Sequence, residues 1–230
     1  RPMTPIHASP AHRPLAAALW MGGSVMGFCV VAIAGRALRA HLDTFEVMLY
    51  RSLVGVLAVS AAAALAGRLG EIGTRSLGLH LVRNTVHFAG QNLWLIALGL
   101  IPLAQVFAIE FTSPLWVILL GPIFLAEKLT APRLMAAGLG FAGILIVTRP
   151  GAGLMNWGTL AAAGAAVSFA TVAILTKRLT RGISVYNILF WLTFMQFFFG
   201  LGLAGFDGRV TLPTAQTLPW LCLIGLCGVL

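Results

Sequence analysis

Charge is scarce in this chain: of 230 residues only 9% are Asp, Glu, Lys or Arg, where a soluble domain carries about 25%. That scarcity excludes a water-facing globular surface. Acidic residues are scarcest, six against fifteen basic ones. The basic residues sit in short gaps between apolar stretches rather than in one patch, so nucleic acid is not an expected partner. Cysteine is limited to Cys29, Cys222 and Cys227, all in apolar stretches without His or acidic neighbours at ligand spacing. Neither a disulfide framework nor a metal site is indicated. No GxxxxGK[ST] nucleotide loop and no HExxH occurs, and Ser24 in GGSVMG is one residue out of step for G-x-S-x-G. No cofactor is therefore expected.

What is abundant is hydrophobicity, with 59% apolar residues and a mean hydropathy of +0.95. This is the composition of an all-α polytopic membrane protein. Reading for apolar runs of about 17–25 residues gives seven spans, at 15–38, 46–66, 79–100, 103–126, 131–148, 157–176 and 184–206. An eighth begins near 216. Residues 1–14 are polar, basic and proline-rich and read as a disordered cytoplasmic tail. The chain opens on Arg1 and stops at Leu230 inside an apolar run too short to cross a bilayer, so both ends are expected to be cuts in a longer protein.

Orientation follows from Lys and Arg counted by gap, because positive loops stay cytoplasmic. The tail and the second, fourth and sixth gaps hold nine (Arg1, Arg13, Arg68, Arg75, Lys128, Arg133, Lys177, Arg178, Arg181), against four on the other side (Arg36, Arg39, Arg149, Arg209). A cytoplasmic N-terminus is expected. A repeat is visible when 15–52 is laid on roughly 157–192, where GRALR matches TKRLTR and FEVMLYR matches VYNILFW. A repeat at this spacing, near 140, implies roughly sixty residues beyond Leu230 and ten helices in the intact protein.

Ionisable groups at bilayer depth cost about 2.5–3.5 kcal/mol each on insertion scales, so they mark where to seek function. The third span carries Arg83, Asn84, His87, Gln91 and Asn92 largely on one helical face. The fourth descends from the opposite side through Glu110, Ser113, Pro114 and Trp116. Pro114 has no N–H and frees a carbonyl one turn back, which predicts a helix break near the membrane centre. Only Gly99 to Leu103 joins the two spans, so they should form a tight hairpin, one wall of a polar cavity with Gln91 and Ser113 at the same depth.

Structural readings stand beside these. Arg83 reads first as an interfacial, snorkelling arginine. Arg51 is divided between snorkelling and the cavity, and His87 between a structural and a proton-linked role. Glu110 is the stronger proton-coupling candidate, because an acid at that depth must be neutralised or paired. Gln91 and Asn92 could equally hold helices together. The small-residue pairs Gly23/Gly27, Gly138/Ala142 and Ala161/Ala165 are expected to be helix contacts, and Glu127 and Lys128 a compensated helix end.

The run AQVFAIEFTSPLWVILLGPIFLAEKLTAPRLMAAGLGFAGILIVTRPG from Ala104, with its Pro114 break, its Leu125-Ala126-Glu127-Lys128-Leu129 helix end and Gly138/Gly143, resembles the second half of an EamA repeat of the drug/metabolite transporter superfamily. LYRSL at 49–53 resembles that family's arginine-bearing second helix, and Asn84 to Pro102 its third helix and turn. The resemblance implies a ten-helix bundle of two inverted five-helix repeats, truncated here to about seven and a half helices. Residues 15–150 would form the first repeat and 157–230 an incomplete second. It also implies alternating access in the inner membrane for a small organic solute such as an amino acid, a nucleotide-like metabolite, a vitamin or a drug. A homodimer is compatible with it. Substrate would meet Arg51, Gln91, Asn92, Glu110, Ser113 and Trp116, with Glu110 or His87 linked to protons and Pro114 breaking the helix. An intramembrane enzyme or a channel is the alternative, disfavoured by the absent catalytic motifs and filter-like loops.

Overall fold

Helix starts and stops follow local chemistry in the computed structural model, which describes residues 14–125, 130–148, 156–205 and 210–228. The elements are α1 (Pro14–Leu38), α2 (Thr44–Leu65), α3 (Leu77–Leu100), α4 (Leu103–Glu110), α5 (Ser113–Leu125), α6 (Ala131–Thr148), α7 (Trp157–Leu179), α8 (Val185–Leu203) and α9 (Leu218–Cys227). Asp43 caps α2 in a reciprocal box with Glu46, Asn156 caps α7, and Ser184 caps α8. Gly67 and Gly205 take φ values of +66° and +79° to turn the chain after α2 and α8, a backbone region open to glycine without steric cost. No strand occurs among the described residues. The expected tail over 1–13, the Glu127–Lys128 helix end and the link at Pro150–Gly151 lie outside the described residues.

Five stretches are long and apolar enough to cross a membrane by length and composition: 18–38, 44–65, 103–122, 157–179 and 185–203. Two of the seven expected spans fall outside that group for different reasons. In α3 the polar side chains lower the hydropathy of a 24-residue helix, and in α6 the described side chains give only the apolar stretch Leu134–Gly143. The position of α3 accounts for its polarity: it is the inner helix, packed along α7 and touching α8, α1, α2 and α4. Polar groups there face protein rather than lipid.

The fourth span is broken as Pro114 requires. α4 ends at Glu110 and α5 begins at Ser113, and the Thr112 hydroxyl donates to the Ile109 carbonyl at 2.6 Å. Small residues pack the bundle, at one of the three expected pairs and at further places. Ala161 and Ala165 are buried, whereas Gly23, Gly27 and Gly138 have open space where a Cβ would stand. The close approaches are Gly90 against Ser168, Gly200 against the Leu49 backbone, and Gly225 against Val54, where an added Cβ would come within 2.7–2.8 Å.

Contacts fix which helix ends share a face. The Arg36 guanidinium donates to the Leu98 carbonyl (2.8 Å) and the Ile101 carbonyl, so the ends of α1 and α3 lie together. The start of α7 is there too, because a Cβ on Gly158 would meet Ile101 at 2.7 Å. Arg83, near the start of α3, donates to Thr176, near the end of α7, at 2.7 Å. Arg83 is thus buried against α7 and does not reach outward along the surface. Its environment is the hydroxyl of Thr176 and the amide of Asn84 (2.8 Å), which spares it the desolvated, unpaired state that snorkelling would otherwise relieve.

Helix bounds repeat at one interval. α1 ends at Leu38 and α7 at Leu179; α2 begins at Thr44 and α8 at Val185; α3 begins at Leu77 and α9 at Leu218, 141 residues apart in each case. The packing has the same pattern. α3 runs along α7 as α1 runs along α9, α3 touches α8 as α2 touches α9, and α2 lies along α8.

Candidate functional site

Two cavities meet at Phe28. The first, about 380 Å³, is bounded by α1, α2, α3 and the end of α9, and Arg51, His87, Gln91 and Trp94 line it. The open faces of Gly23 and Gly27 border it as well, so the missing side chains leave room for a cavity rather than for a neighbouring helix. The second, about 580 Å³, lies among α1, α4, α5 and α7 and is lined by Phe107, Glu110, Ser113, Pro114 and Phe169 along with Phe28.

Arg51 is the main charge of the first cavity. It is 5% exposed, donates from Nη1 to Gln91 Oε1 at 2.7 Å, and its Nε has no hydrogen-bond partner. Among the described residues no carboxylate lies at ion-pair distance from it. A buried guanidinium with a neutral partner and a spare donor favours an acceptor-rich or anionic group beside it. His87, one turn before Gln91 on α3, is hydrogen-bonded through Nδ1 to Gln196 Nε2 of α8. Its ring also lies 5.9 Å from that of Phe169.

Glu110 belongs to the second cavity yet is tied to the first. Its Oε2 accepts from Trp94 Nε1 at 2.6 Å, a charge-assisted geometry when the acid is ionised. The Trp94 ring in turn lies 5.4 Å from Phe28, which is 5.5 Å from Phe107. The expected hairpin of α3 and α4 therefore meets through Trp94 and Glu110, not through Gln91 and Ser113. Ser113 donates to the Ala166 carbonyl at 3.2 Å.

Of the residues singled out in the sequence, Arg51, His87 and Gln91 come together around one cavity, and Glu110, Ser113 and Pro114 around the other. Asn92 and Trp116 border neither. Asn92 donates back to the Phe88 carbonyl of its own helix at 2.8 Å, and Trp116 lies on the outer surface. Sequence reasoning missed Trp94, Phe28 and Gln196. Trp94 sits three residues after Gln91, on the same face, and that spacing was the available signal.

Residues 15–149 match the EamA-like transporter family. A riboflavin transporter of Vibrio cholerae serotype O1 is 30% identical over 93% of this chain and 72% of its own length. The chain belongs to the EamA-like transporter family. It is accordingly a multi-pass helical membrane protein of a family of small-metabolite transporters, and the relatives it matches are named as transporters, not enzymes. A riboflavin transporter of Brucella anthropi is 40% identical over 47% of this EamA-like chain and 40% of its own length. An S-adenosylmethionine uptake transporter of Rickettsia conorii is 25% identical over 75% and 58%. The chain thus spans only part of each of these relatives. A crystal structure superposes with a TM-score of 0.61 at 19% identity, over 90% of this chain and 74% of the other, a likeness of fold alone.

Proposed function

We propose that this chain is the greater part of an inner-membrane secondary carrier, N-terminus cytoplasmic, that moves riboflavin or a closely related planar heteroaromatic metabolite by alternating access. The observation that carries the reading is the first cavity, where a partly unsatisfied Arg51 stands with Gln91 and His87 beside the rings of Trp94 and Phe28. Guanidinium and amide donors suit the paired carbonyl edge of a flavin ring, and the aromatic walls suit its faces. Riboflavin is also what two of the relatives carry by name. Residues 15–150 serve as one five-helix repeat and 157–230 as part of an inverted second, a reading supported by the constant interval between helix bounds. No nucleotide-binding loop is present in the sequence, so an ion gradient or exchange drives the carrier. Glu110 or His87 is the proton-linked group, and the break before Pro114 gives the fourth span its hinge.

The test is uptake of labelled riboflavin by cells that lack their own carrier and express the full-length protein. Saturable uptake is expected, competed by excess riboflavin and reduced at least tenfold by Arg51→Leu at equal membrane abundance. Uptake of S-adenosylmethionine in its place would move the substrate to the other named class. Non-saturable flux would indicate a channel and overturn the carrier.

A further inference from the structure

Outside the cavities, the two most ordered polar clusters lie at opposite ends of the central α2–α8 pair, and they are built alike. At one end Glu46, the third residue of α2, accepts through Oε1 from the Thr211 backbone N–H. Four residues on, the Tyr50 hydroxyl donates to the Thr211 carbonyl at 2.9 Å. Both hold the segment 210–217 that leads into α9. At the other end Asn187, the third residue of α8, donates to the carbonyls of Glu71 and Gly73, each at 3.0 Å. Four residues on, Trp191 Nε1 donates to the Gly73 carbonyl at 2.8 Å. Both hold the segment that leads into α3. Glu46 and Asn187 are each about 3% exposed. Glu46 to Asn187, and Tyr50 to Trp191, is the same interval that separates the starts of α2 and α8.

The segments held by these contacts lead into helices that have no side-chain cap of their own. α2, α7 and α8 have side-chain caps, whereas α3 and α9 have none. α3 even starts after Ser76 in the left-handed region, at φ 63°, which a non-glycine residue rarely adopts. Asn187 and Trp191 thus tether the approach to α3, the helix that carries His87, Gln91 and Trp94. Glu46 and Tyr50 tether the approach to α9, with Cys227 and Gly228 on the same cavity.

We infer that these are the two latches of the carrier: Glu46–Tyr50 closes the cavity on one membrane face by holding the approach to α9, and Asn187–Trp191 closes it on the other by holding the approach to α3. The inference rests on the transporter reading, and it adds positioning residues that touch no substrate. Each latch amounts to two or three hydrogen bonds, so removing one bond shifts a two-state population by roughly three- to tenfold. The shift is toward the face that the broken latch had closed.

Cys227 borders the first cavity and serves as a native reporter. In the full-length protein with Cys29→Ser and Cys222→Ser, its rate of modification by a membrane-impermeant thiol reagent is measured in right-side-out and in inverted vesicles. Glu46→Leu and Tyr50→Phe are expected to raise labelling roughly three- to tenfold from one face. Asn187→Leu and Trp191→Phe should raise it by a similar factor from the other. Tyr50→Phe retains the ring and removes only the hydrogen bond, and Trp191→Phe keeps an aromatic ring while removing its N–H, so they keep the test available should another substitution fail to fold. Equal acceleration from both faces, or no change in either, would reduce the contacts to static anchors and overturn the proposal. No substrate is needed for this readout, so a failure of riboflavin uptake would leave its outcome interpretable.

Discussion

At the scale of the residue, a pair of substitutions separates the contact that Glu110 makes from the proton coupling proposed for it. Its carboxyl accepts the Trp94 indole N–H and fixes a ring that borders the Arg51 cavity; the proposed carrier also asks it to take up and release a proton. Glu110→Gln retains an oxygen acceptor for Trp94 and loses the exchangeable proton, so substrate exchange should persist while accumulation driven by a pH gradient is lost. Trp94→Phe does the opposite: it keeps the carboxyl and most of the ring and removes the bond, so the KM should rise while the pH dependence stays. Flux measured across pH in proteoliposomes of the full-length protein distinguishes them. Unchanged pH dependence in Glu110→Gln would remove Glu110 from proton coupling and leave His87 as the candidate. His87 is less free to serve, because its Nδ1 is already engaged by Gln196.

Among the elements, α2 packs along α8, and glycine sets the closeness of that packing. A Cβ on Gly200 would lie 2.8 Å from both the backbone nitrogen and the Cα of Leu49, and backbone yields only if a whole helix shifts. Gly200→Ala is expected to cost about 1–3 kcal/mol, read as a lower midpoint of thermal inactivation in detergent, whereas Gly138→Ala, with open space at its Cβ, should leave it unchanged. This contrast also shows what was legible beforehand. Helix positions, the Pro114 break and the inward stripe of α3 were readable because each follows from length, periodicity or a missing N–H. Which small residues touch was not, because Gly23/Gly27 and Gly138/Ala142 carry the same spacing as packing motifs and only the neighbouring helix decides. Arg83 was misplaced for a related reason: its spacing gives depth along the helix but not the hydroxyl of Thr176 that receives it. Glu110 stood out as an acid at bilayer depth, while its partner Trp94 reads in sequence as one more apolar residue.

For the whole molecule, the constant interval between helix bounds and the matching contacts of α3 with α7 and of α1 with α9 mean that exchanging α1, α2 and α3 with α7, α8 and α9 reproduces the pattern of their packing. α2 and α8 lie against each other where the axis of that exchange would pass. Corresponding helices in the two halves run in opposite directions through the membrane, since α2 starts at the Thr211 end and α8 at the Gly73 end. Such an arrangement makes the two faces interchangeable in geometry and distinguishable only by charge, which is why the excess of Lys and Arg at 68–75 and 177–181 must decide orientation. Single cysteines placed at Arg75 and at Arg181 are expected to resist an impermeant thiol reagent in right-side-out vesicles until the membrane is permeabilised, and one placed at Ala40 should react at once. The reverse pattern would turn the molecule over in the bilayer. The two latches would then exchange faces while their opposition to each other stayed, because that opposition follows from the fold and the orientation from the charges alone.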